Sequence, residues 1–353
     1  MPLHTGSEPH RALHGLHPAG TPIAVTVPSV PPTPASDVVY VHQDDLAAVA
    51  SAVAAARAPS TRRVYASAWR AWRLWCSSRG YPELPADPLH VAAHVTWLAA
   101  HGRAVSTIDR ALAAIAAEHL SAGLDDPTHS PGVRLTRSGV RRNIGATPRR
   151  QAHPLTTDEL RRLVDVCDSG SLRGLRDRAL LLVGYAAALR RSELGALPLG
   201  AVAYRSAGIA LTLHRTKSDQ EGTGTVIGIA RGHGATDPVR AVRNWTAAAG
   251  IDDPHEPLFP RIAWSDRRAL RGRPLSGDAV QRVLLARAAV AGIDDLDLSG
   301  HSLRAGHATT AAEAGVPADR IARTTRHARL ETLARYVRPS EALRDTSSSA
   351  LGL

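Results

Sequence analysis

Tyr336 is preceded by His327 nine residues earlier, and His327 follows Arg304 by 23 residues, within His301-Ser302-Leu303-Arg304. A further arginine, Arg190, stands upstream in Ala188-Leu189-Arg190-Arg191-Ser192-Glu193-Leu194. Two arginines, two histidines and a tyrosine form a set able to attack a phosphodiester without a metal. The phenol is the nucleophile, and the cations hold the non-bridging oxygens as charge builds on them. A phenol with a pKa near ~10 needs a base to help it at neutral pH.

Lysine usage points the same way. Of 43 basic residues, 42 are arginine and one is lysine, Lys217. Arginine binds phosphate oxygens bidentately but does not readily release a proton. Lysine can act as a general acid, so a lone lysine fits a step that needs proton transfer as well as charge. Lys217 lies in His214-Arg215-Thr216-Lys217-Ser218, between two strand-like runs at 209–213 and 225–229.

Each residue also has an ordinary reading. Arg190 could pair with Glu193 on a helix surface, and the adjacent Arg191 could be the operative arginine. His301 could belong to a helix start, His327 to a core, and Tyr336 to ring packing. Lys217 could sit on a solvent-exposed turn.

Taken jointly, with these spacings, the series resembles the tyrosine recombinases, the integrase family. The resemblance is firm over about 155–340 and more moderate over 60–125. It implies a mainly α fold with a small β-sheet, in which a helical core-binding domain and a catalytic domain form a clamp around DNA. It further implies that Arg190 and Arg304 grip the scissile phosphate, and that Tyr336 forms a 3′-phosphotyrosyl bond. Lys217 would protonate the leaving 5′ oxygen, His301 would serve as general base, and His327 would hydrogen-bond a phosphate oxygen, with Glu193 in support. No metal or other cofactor is implied. The partners would be double-stranded DNA with an inverted-repeat site and further copies of the chain, a dimer per site and a homotetramer on two sites. Two departures stand out: the family often has glycine at positions 188 and 326, where this chain has Ala188 and Arg326. Two alternatives share the chemistry or the basic charge. One is a type IB topoisomerase or telomere-resolvase-like cycle of cutting and resealing; the other is a catalytically silent DNA-binding regulator.

The elements that must position these residues can be read along the chain. Residues 1–42 hold eight of the 24 prolines within their first forty positions and read as a disordered Pro-rich arm. Residues 43–145 are helical in pattern and form the core-binding domain. Helices are expected from Asp44 to Arg57, from Pro59 towards Gly80, from Pro88 to His101, and from Ser106 to just before Gly123. Ser106 and Asp109 are expected to form a capping box. Tyr65, Trp69, Trp72 and Trp75 recur at helical spacing and read as core, while Arg62, Arg63, Arg70 and Arg73 interleave with them and could reach phosphates. Arg134, Arg137, Arg141, Arg142, Arg149 and Arg150 follow with no acid among them, suited to the DNA backbone near a linker at 146–155. The catalytic domain is expected at 156–340, opening on a Thr156/Glu159 capping box, with helices at 157–167, 176–188, 190–196, 237–249, 277–291, 302–314 and 318–324 and one small sheet. Residues 341–353 form a C-terminal tail, which the resemblance would dock on a neighbouring protomer.

A formal net charge of +11 favours a polyanionic partner. Cys76 and Cys167 lie too far apart in sequence to suggest a disulfide or metal framework, and no apolar run approaches a membrane span. The expectation is a soluble cytoplasmic protein associated with the nucleoid and not with a membrane.

Overall fold

The computed structural model describes residues 13–16, 22–25, 42–55, 58–145, 152–214 and 224–326. The chain divides into two compact units, Met1–Arg149 and Arg150–Leu353. Both are mainly helical with small sheets, the class expected. No helix among the described residues is long and apolar enough to cross a membrane.

In the first unit, β1 (Leu13–Leu16) and β2 (Pro22–Val25) pair antiparallel, with Leu13 opposite Val25. They fall within the arm whose composition predicts no regular structure. Pro22 stands at the first residue of its strand, where its missing N–H does least harm to a ladder. The helices α1 (Gln43–Ala55), α2 (Pro59–Ser77), α3 (Pro88–Ala100), α4 (Val105–Ser121) and α5 (Pro131–Ile144) follow. The aromatic stripe of α2 is core: Trp72 and Trp75 are buried and stack with centroids 5.4 Å apart, and His94 of α3 lies edge-on to Trp72 at 5.1 Å. Burial, with the Arg79 cation adding to it, pushes the pKa of His94 down to about 4, so the ring is neutral in this stack at neutral pH.

The expected Ser106/Asp109 box is absent. Helix α4 begins at Val105, and its N-cap, Ala104, makes no side-chain cap. Asp109 instead accepts a 2.7 Å bond from Arg137 Nε on α5. A charge-assisted bond between helices outweighs a local cap to a neutral N–H.

In the second unit, α6 (Thr157–Asp165), α7 (Leu172–Ala186) and α8 (Arg191–Ala196) lead into the strands β3 (Val202–Arg205), β4 (Gly208–Leu213) and β5 (Thr225–Ala230). After α9 (Pro238–Ala249) come β6 (Pro260–Ile262) and β7 (Ala269–Pro274), then α10 (Gly277–Ala291), α11 (Ser302–Glu313) and α12 (Ala318–Thr325). The strands form two antiparallel sheets, β3-β4-β5 and β6-β7, where one had been expected. The additional strands have weak sequence signals. β3 has four residues, and β7 reads Ala-Leu-Arg-Gly-Arg-Pro without alternation.

The Thr156/Glu159 capping box is present in both directions: Glu159 N–H donates to Thr156 Oγ1 at 3.2 Å and Thr156 N–H to Glu159 Oε2 at 2.7 Å. Just before it, His153 N–H donates to the Asp297 carbonyl and Leu155 N–H to that of Ser302. This leading segment lies so close to α11 that a Cβ on Gly306 would come within 2.0 Å of the Leu155 carbonyl oxygen. Gly184 of α7 plays a similar part deeper in the core. A Cβ there would stand 2.7 Å from Leu194 of α8 and 3.0 Å from Leu303 of α11. The three helices around the candidate site therefore meet at a residue with no side chain.

Arginines also serve as scaffold. Asp177 is buried between Arg176 and Arg287, each 2.7 Å away. Arg162 donates to the carbonyls of Ala291 and Gly292, and Arg178 to those of Val164 and Cys167. These cations sit at the C-terminal ends of α10 and α6, where helix dipoles favour positive charge.

Candidate active site

The site begins where α7 ends. Ala188 takes a left-handed backbone, φ 48°, and turns the chain sharply so that Arg190, in extended conformation, becomes the N-cap of α8. Glu193, three residues on, holds Arg190 twice. Its Oε2 accepts from the Arg190 backbone N–H at 2.8 Å and its Oε1 from Nη1 at 2.6 Å. The pair is half-buried rather than a surface contact. Arg191 points elsewhere, to Asp278 at 3.0 Å and Gln281 at 2.8 Å on α10. Of the two adjacent arginines, only Arg190 shares the Glu193 carboxylate.

Arg304 lies on the first turn of α11 with its side chain buried, and its Nη1 donates to the Ala188 carbonyl at 2.8 Å. Arg304 is therefore anchored to the turn that leads into Arg190. His301 is the N-cap of the same helix, its own N–H donating to Ser299 Oγ at 3.1 Å. Although the residue as a whole stays exposed, the protein packed around its ring lowers its pKa, and the Arg304 and Arg190 cations lower it further. The imidazole is therefore mainly neutral at neutral pH and able to accept a proton.

The structure adds Arg326 to this cluster, a residue that the sequence marks only as a departure from glycine. It caps α12 in the left-handed conformation, φ 54°, with its side chain 5% exposed. Its Nη2 donates to Glu193 Oε2 at 2.7 Å and lies 3.4 Å from the Ala188 carbonyl. The one sequence signal is the departure from glycine at 326; the partner carboxylate stands 133 residues earlier and shares no local pattern with it.

Lys217, His327 and Tyr336 lie outside the described residues, as do Arg149 and Arg150. In the first unit, Arg62, Arg63 and Arg70 are exposed on α2, and Arg134, Arg141 and Arg142 on α5. Arg73 and Arg137 are also exposed but are held by acids, Glu83 at 2.9 Å and Asp109 at 2.7 Å.

The phage integrase family profile matches residues 153–342, more than half of the chain, and takes in every residue of this cluster. The chain belongs to the phage integrase family. It is 32% identical to an integrase/recombinase XerD homolog of Selenomonas ruminantium over 82% of this chain and 85% of that protein. It is 28% identical to the Cre recombinase of Escherichia phage P1 over 79% of this chain and 83% of that one. The fold is shared with a lambda integrase tetramer solved on a Holliday junction, at a TM-score of 0.55 and 16% identity over 79% of this chain and 72% of that chain. This integrase-family chain is a tyrosine recombinase and an enzyme.

Proposed function

We propose that this enzyme, a site-specific DNA recombinase, cleaves and rejoins duplex DNA through a 3′-phosphotyrosyl linkage formed by Tyr336. The observation that supports the site best is the anchoring of Arg190 to Glu193 and of Arg304 to the Ala188 carbonyl, two residues before Arg190. With Arg326 the cluster holds three guanidinium cations and one carboxylate, a surplus of two positive charges. A phosphodiester carries one negative charge and gains a second as the phosphorane forms, so this surplus favours the transition state over the ground state.

In the proposed step the Tyr336 oxygen attacks phosphorus while His301 takes the phenolic proton. The bond from phosphorus to the 5′ oxygen breaks, and Lys217 protonates the departing oxygen. Arg190, Arg304 and His327 hold the non-bridging oxygens. The phosphotyrosyl bond conserves the energy of the one it replaces, so the 5′-hydroxyl of another strand reverses the attack. The partner is duplex DNA with an inverted-repeat site, one dimer per site and a tetramer on two. Lambda integrase has been solved as a dimer on a core site and as a tetramer on a Holliday junction, which supports this assembly. The curated relatives are named as recombinases, which favours this reading over a topoisomerase-like resealing cycle or a silent regulator.

Covalent capture tests the chemistry. The protein is incubated with fragmented source DNA, denatured in detergent, and the DNA still attached is sequenced. Wild type should retain a discrete inverted-repeat site and Tyr336→Phe none; equal retention by both would refute the tyrosine assignment.

A further inference from the structure

We propose that Arg326 is a positioning residue of the cleavage site, holding through Glu193 and the Ala188 carbonyl the two arginines that grip the phosphate. The proposal rests on the reading of Arg190 and Arg304 given above.

A non-glycine residue at φ 54° is uncommon, and such a conformation persists only where the surroundings over-determine it. Here the side chain provides that determination. Its Nη2 reaches Glu193 Oε2 at 2.7 Å, the oxygen that also accepts from the Arg190 N–H. The other carboxylate oxygen receives Arg190 Nη1. With Arg326 in place, Glu193 is held from two sides and its grip on Arg190 has one geometry. Without it, the carboxylate can rotate and carry the Arg190 guanidinium with it. The second link is longer: Arg326 Nη2 lies 3.4 Å from the Ala188 carbonyl, the acceptor of Arg304 Nη1. Ala188 is itself left-handed at φ 48°. Two side-chain-bearing residues in backbone states that suit glycine are thus joined through one arginine.

Stability alone does not account for this arrangement. Burial lowers the pKa of Arg326, Glu193 opposes that shift, and Arg190 adds to it, so the cation is held at a cost and shares its carboxylate with a second cation. Among the described residues its buried Nε has no hydrogen-bond partner. A buried ion pair with these features contributes little to stability compared with an uncharged replacement, and glycine would also relax the backbone. What the arginine contributes is a fixed orientation for its neighbours. Arg326 also adjoins His327 in sequence, so one side chain ties the end of α12 to the start of α8.

The test compares wild type with Arg326→Gly, Arg326→Lys, Glu193→Gln and the Glu193→Gln/Arg326→Gly double variant. Single-turnover cleavage is measured on a nicked duplex that cannot religate, together with DNA affinity and melting temperature. Misplacing a catalytic group by about an ångström costs up to about 100-fold in rate, so Arg326→Gly should cleave roughly 10- to 100-fold more slowly. Its affinity and melting temperature should hold, because glycine suits the left-handed turn. Lysine should restore part of the rate. The double variant should be no slower than Glu193→Gln alone, since Arg326 acts through that carboxylate. Cleavage by Arg326→Gly at the wild-type rate would overturn the proposal. So would losses in rate, affinity and melting together that add in the double variant and are not rescued by lysine. If wild type forms no more adduct than Tyr336→Phe, the reading of the site fails and the proposal falls with it.

Discussion

A histidine that takes a proton from a phenol must arrive without one. The protein around His301, then Arg304 and Arg190, lower its pKa below the ordinary 6.5. The sign follows directly: lowering the pKa extends the neutral, proton-accepting form to more acidic pH. Single-turnover cleavage followed from about pH 5 to 8 should therefore keep its rate as pH falls to the ordinary histidine value, and decline only below it. His301→Gln should remove that acid limb and slow cleavage throughout; an acid limb centred above 6.5 would argue against the assignment. His301 and Arg304 were legible in the sequence because they share one helical turn and precede a tyrosine at a fixed distance. The part played by Arg326 was not. It depends on a left-handed backbone and on a carboxylate 133 residues earlier in the chain, and neither leaves a local pattern.

The elements around the site depend on close approach more than on polar contacts. Gly184 lets α7, α8 and α11 meet, with Leu194 and Leu303 where its side chain would be. Gly184→Val should destabilise the second unit by about 1–3 kcal/mol through overpacking, read as a lower urea midpoint with little change in slope. An unchanged midpoint would mean the helices can part without loss. Helix positions were largely readable because period and caps agree: the Thr156/Glu159 box formed as expected. The Ser106/Asp109 box did not, because Arg137 on α5 takes the Asp109 carboxylate, a competition between helices that sequence spacing cannot show. The strands β3, β6 and β7 escaped for a related reason. They are short or carry little alternation, so the local hairpins that pair β3 with β4 and β6 with β7 leave little pattern to read.

For the whole molecule, a surplus of arginine does not translate evenly into DNA affinity. Many guanidiniums are committed within the fold, to Asp177, to helix-end carbonyls, and to Glu83 and Asp109 in the first unit. If the exposed Arg62, Arg63 and Arg70 each meet a phosphate, each change to Gln should reduce the slope of log affinity against log salt by ~0.9. Arg73→Gln and Arg137→Gln should change it much less, because those cations already have carboxylate partners. Equal effects from both groups, in a salt titration of binding, would show that the internal pairs open on DNA.

The leading segment of the second unit has a practical consequence for recombinase engineering. His153 and Leu155 are stitched to Asp297 and Ser302, and Leu155 lies against Gly306, only two residues beyond Arg304. A chimera that exchanges the N-terminal unit with that of a relative is naturally joined at the first capped helix, Thr156. Such a junction would bring in a foreign segment to lie against α11, the helix that carries Arg304. Moving the crossover upstream of His153 keeps that seam native, so the N-terminal unit can be exchanged without disturbing α11.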